Sequence, residues 1–104
     1  MPFHNHTTLE VASETQPRVV TAEQNIALRL AALTKTQIEV LRMVAQGFTN
    51  SEIASRRATS VSAVEQILKS IFRGLEIESS GPINPRSEAM RAYISSEGIP
   101  PRDN

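Results

Sequence analysis

Ser62, Gln66, Lys69 and Arg73 recur at intervals of four, three and four residues, the spacing that lines side chains along one ridge of an α-helix. Each carries a hydrogen-bond donor, and two carry a permanent positive charge. Donors along such a ridge can reach the acceptor-rich edges of stacked bases and the phosphates beside them. Gln66 has the amide to pair with adenine N6 and N7, while Lys69 or Arg73 suits guanine or phosphate. The same ridge would serve equally as the wet side of an ordinary amphipathic helix, so the spacing alone does not decide between the two.

Other chemistry is thinly supplied. The 104 residues include no cysteine, which excludes disulfides and thiolate metal sites. The only histidines, His4 and His6, have an H-x-H spacing that suits a strand edge, with no third ligand close in sequence, so neither is assigned a metal or any other function. No Ser/His/Asp set, carboxylate-pair motif or Gly-rich phosphate loop is present, so an enzyme is not expected and no cofactor is assigned. Eleven basic and eleven acidic residues cancel, so any case for nucleic acid must rest on local charge. Residues 50–75 supply it in part: Arg56, Arg57, Lys69 and Arg73 outnumber Glu52 and Glu65, four charges to two, leaving net +2. No apolar run is long enough to span a membrane, and Met1 to Glu10 lacks the basic start and apolar stretch of a secretory signal. A cytoplasmic protein without membrane contact is the expectation.

The elements that must carry the donor ridge are punctuated clearly. Residues 1–20 mix polar and single apolar residues without period and read as a mobile arm. Thr21 to Gln24, Thr34 to Gln37 and Thr49 to Glu52 each fit a capping box, with Leu33 and Ile38, then Phe48 and Ile53, placed for hydrophobic staples. Helices are therefore expected over about 22–32, 35–46, 50–57 and 61–75, the second ended by Gly47 and the fourth capped by Ser60. Gly81-Pro82 breaks the chain, Asn84 caps a fifth helix with Pro85 at its first position, and Gly98 closes that helix after Glu97. Residues 98–104, with Pro100-Pro101, read as a short tail. Apolar stripes face a core built from aliphatic side chains: Ile26, Leu30 and Leu33; Ile38, Leu41, Val44 and Ala45; Ile53 and Ala54; Val64, Leu68, Ile71 and Leu75. The fold class is all-α, a small helix bundle, with residues 21–97 as one domain. Its short third helix, tight turn and longer fourth helix have the proportions of a helix-turn-helix.

Residues 33–75, LTKTQIEVLRMVAQGFTNSEIASRRATSVSAVEQILKSIFRGL, resemble the LuxR/GerE-type helix-turn-helix. Leu33, Thr34, Glu39, Val40, Leu41, Gly47, Asn50, Glu52, Ile53, Ala54, Ser60, Val64, Ile71 and Leu75 match that family's pattern. Asn84-Pro85-Arg86-Ser87-Glu88-Ala89-Met90 is similar to the start of its last helix. The resemblance implies a four-helix DNA-binding domain, here preceded by one extra N-terminal helix, whose third helix reads the major groove and whose fourth often forms a homodimer. It further implies a stand-alone transcription regulator, since the chain has no room for the sensor domain many relatives carry. Thr49, Asn50, Ser51 and Ser60 would then lie at phosphates, the backbone N–H groups there being free to donate, with Ser62, Glu65, Gln66, Lys69 and Arg73 on the DNA side of the recognition helix. Met90, Tyr93 and Ile94 would form the dimer interface, because the apolar residues of the last helix spread over more of its circumference than one core stripe requires.

Departures from the family pattern keep a second reading open. Arg57-Ala58-Thr59 stands where Leu-Gly-Ile is usual, replacing two apolar anchors and a glycine suited to positive φ. Ala63, Glu65 and Ile67 stand where Thr, Lys and His are common, so an acid lies beside the phosphates. These changes and the neutral net charge fit an interaction module that keeps the fold and binds RNA polymerase or another regulator in place of DNA.

Overall fold

The computed structural model describes residues 21–78 and 81–102; the expected arm, with His4 and His6, lies outside them. Five helices follow in order: α1 (Ala22–Ala31), α2 (Lys35–Ala45), α3 (Asn50–Arg56), α4 (Val61–Gly74) and α5 (Pro85–Glu97), with no strand among the described residues. All three capping boxes form: the hydroxyls of Thr21, Thr34 and Thr49 accept from the N–H three residues on, and Gln24, Gln37 and Glu52 return the bond. Ser60 caps α4 by accepting from Ala63, and Asn84 caps α5 by accepting from Arg86 and Ser87. The helices end one residue earlier than the periodicity suggests at Ala32, Gln46, Arg57 and Leu75, which act as C-caps.

Three helix ends share one device, in which the N–H two residues past the cap reaches back five positions and the chain passes through positive φ between. Phe48 donates to Met43 O, Thr59 to Ala54 O and Ile77 to Phe72 O, with Gly47, Ala58 and Glu76 at the left-handed position. Gly47 suits φ +92°; Ala58 at +55° and Glu76 at +57° do not. A side chain in that region costs roughly 1 kcal/mol, so the helix-turn-helix turn keeps the conformation that glycine would favour and bears strain for it. Ala58→Gly is expected to raise stability by up to about 1 kcal/mol, a thermal midpoint gain of several degrees; an unchanged or lower midpoint would show that the turn is not strained. Arg57, in place of an apolar anchor, finds Glu39 of α2 at 2.9 Å, so the altered turn is tied down by an ion pair.

Val40, Leu41, Ile53, Val64 and Ile71 are fully buried at the centre of the domain. All four expected stripes reach this cluster, with Ile26, Leu33 and Ile38 half-buried at its edge. Helix α2 packs against α4 and α5, α3 against α4, and α5 takes α1 and α4 on further sides. Packing on three sides explains the wide apolar spread on α5: Ala89 and Tyr93 are buried, Met90, Ala92 and Ile94 half-buried. The expected tail is not loose as far as it is described. Pro100 is buried, and Gln46 Nε2 donates to Pro101 O at 2.8 Å.

Candidate nucleic-acid interface

Helix α4 is divided cleanly by its own periodicity. Val64, Leu68, Ile71 and the cap Leu75 are buried, and the opposite ridge of Ser62, Gln66, Lys69 and Arg73 is exposed along its whole length. Ser62 and Arg73 are eleven positions apart; at about 1.5 Å per residue they span about 16 Å, comparable with a major groove about 12 Å wide. Lys69 and Arg73 make no hydrogen bond or ion pair among the described residues, so both cations are available to a partner. Glu65 is exposed on the flank of this ridge, where Asn50, Leu68, Lys69, Phe72, Pro85 and Arg86 line a shallow groove between α4 and the start of α5.

The other expected backbone contacts are placed less simply. Thr49 N–H is spent on Glu52 Oε1 at 2.9 Å and its hydroxyl on Glu52 N–H, so Thr49 has no free N–H for phosphate, contrary to expectation. The Ser60 hydroxyl is likewise taken by Ala63 N–H. Asn50 is half-buried and its side-chain oxygen accepts from Arg86, which leaves Ser51 as the exposed residue of that group that takes part in none of these bonds. Glu52 titrates below the usual carboxylate range, chiefly because Thr49 N–H donates to it, with Arg102 and Arg56 adding attraction. A lowered folded-state value means that the cap is intact above the ordinary range and is lost as pH falls through the lowered one.

Residues 31–81 match the family model for bacterial regulatory proteins of the luxR family, GerE. The helix-turn-helix is a GerE domain. Comparison with curated proteins and with solved structures found no match.

Within this GerE domain and the helix that follows it, the residue that sequence reasoning passed over is Arg86. It lies in the stretch that resembles the family's last helix, but its reach could not be read there. From α5 it donates to Asn50 and to Phe48 O at 2.6 Å, tying the last helix to the start of α3, and burial lowers its guanidinium pKa from the ordinary value. The dimer contact expected at Tyr93 is corrected. Tyr93 is 5% exposed, its ring belongs to the domain's own core, and its hydroxyl accepts from Arg42 at 3.4 Å. Met90 and Ile94 are half-buried against the same core, while Ser87, Arg91 and Ser95 are exposed on α5. No helix is long and apolar enough to cross a membrane, and no cluster of three metal-binding side chains occurs, among the described residues.

Proposed function

We propose that this chain is a transcription regulator of the LuxR/GerE type that binds double-stranded DNA by laying α4 in the major groove, with residues 21–97 as its binding domain. The observation that carries the reading is the donor ridge Ser62, Gln66, Lys69 and Arg73 on the second helix of the helix-turn-helix in a GerE domain, exposed and unpartnered among the described residues. Lys69 and Arg73 supply the charge, Gln66 and Ser62 the directional bonds, and Glu65 on the flank weakens attraction to phosphate. The regulator acts in the cytoplasm and as a homodimer, its α5 pairing through the exposed edges of Met90 and Ile94. Two recognition helices would then meet the duplex about 34 Å apart.

A second reading has its own observation. A groove of about 440 Å³ between α1, the end of α4 and α5 is lined by Ile26, Leu75, Ile77 and Ile83 and rimmed by Glu76, Glu78 and Glu88, with Arg29 beside them paired to Glu76 at 3.2 Å, so that the rim keeps an acidic excess. Its acidic rim suits a basic protein segment, as an interaction module that binds polymerase or another regulator would need. An electrophoretic titration of genomic DNA fragments at several salt concentrations separates the two. DNA binding predicts retarded bands at low salt that fade as salt rises; no retardation at low salt replaces it with the interaction module.

A further inference from the structure

Past the α5 cap Gly98, whose φ is +82°, the chain doubles back over the α2–α3 connection. Pro101 is pinned by Gln46, and Arg102 Nη2 then meets Glu52 Oε2 at 3.0 Å. The Arg102 guanidinium lies 4.5 Å from the centroid of the Phe48 ring, which also holds the Arg56 guanidinium at 4.1 Å. Phe48 itself is 3% exposed, so the ring is a fixed seat, yet the Arg102 side chain is 48% exposed. A guanidinium stacked on a ring still directs its donors outward from its edge, and only one Arg102 contact is drawn to Glu52.

The place matters because of what surrounds it. The other oxygen of Glu52 accepts Thr49 N–H, so Arg102 is one carboxylate away from the start of α3 and near the exposed Ser51. When a recognition helix enters the groove, the first helix of the motif crosses the DNA backbone. Thr49, Asn50 and Ser51 bring no charge there, and Glu52 alone would repel phosphate. Arg102, with Arg56, turns that spot net positive.

We infer that Arg102 is a DNA-backbone contact flanking the recognition helix, seated by Phe48 and Glu52, and that residues 99–102 belong to the DNA-binding unit. This rests on the proposed DNA reading. A side chain ordered before binding loses less entropy when it grips a phosphate, so the Phe48 seat favours the contact.

The test is a fluorescence anisotropy titration of the full chain on a labelled mixed-sequence duplex across a range of salt, for wild type, Arg102→Met, Arg102→Lys and Lys69→Ala. Arg102→Met keeps an apolar stem on Phe48 and removes the charge; Arg102→Lys keeps the charge. The expected result is that Arg102→Met lowers the slope of log K against log salt by about 0.9, that Arg102→Lys retains it, and that thermal midpoints hold. A wild-type slope in Arg102→Met beside a reduced one in Lys69→Ala would make Arg102 a brace only, overturning the inference with the DNA reading intact. Equal reductions in Arg102→Met and Arg102→Lys would overturn it too, since charge would not be the cause. Absence of salt-dependent binding by the wild type would overturn the DNA reading itself, and the inference with it.

Discussion

Tyr93→Glu is expected to undo the domain and not merely to separate a dimer. The ring is 5% exposed and lies among Leu41, Ala89 and the other core residues of one cluster. Truncating a buried aromatic costs about 3–5 kcal/mol, and a carboxylate left in that space adds the cost of dehydrating a charge. Against a total stability of about 5–15 kcal/mol, the thermal midpoint should fall by more than about 10 °C and helical circular dichroism should weaken near room temperature. Tyr93→Phe loses only the 3.4 Å bond from Arg42 and should melt close to wild type. If Tyr93→Glu instead melted like wild type and lowered only the mass seen by light scattering, the ring would be an intermolecular contact after all.

The double variant Lys69→Ala, Arg73→Ala should remove most of the DNA affinity while sparing the fold. Both side chains are exposed and unpartnered among the described residues, so their removal should change stability by no more than about 0.5 kcal/mol. Every phosphate left without its cation reduces the salt slope by about 0.9, so the pair should reduce it by about 1.8 and weaken binding roughly tenfold or more near physiological salt. Glu65→Lys should act in the opposite direction, tightening binding and steepening the slope. Unchanged binding in the double variant would move the interface off α4.

What the sequence made legible was local. Capping boxes and apolar periods act within one or two turns, so Thr21, Thr34 and Thr49 marked helix starts, and the two faces of α4 followed from residue spacing alone. Contacts between distant residues were hidden. Arg86 reaches Asn50 across 36 positions and Arg102 reaches Glu52 across 50, and no spacing rule announces such pairs. The same limit misdirected the reading of α5: a spread of apolar residues means an outer interface if one neighbour covers the helix, but core if α1, α2 and α4 all do. Ala58 and Glu76 show a different limit. Both occupy positive φ without being glycine, because the helix-end hydrogen bonds from Thr59 and Ile77 hold the backbone there.

The central claim is that the exposed ridge of α4 meets DNA, and amide chemical shifts report it residue by residue. An ¹⁵N-labelled sample titrated with a mixed-sequence duplex at low salt should shift Ser62, Gln66, Lys69 and Arg73 and the start of α3 while α1 and residues 81–83 stay in place. Shifts confined to the groove between α1, the end of α4 and α5, or no shifts on α4 at all, would contradict it.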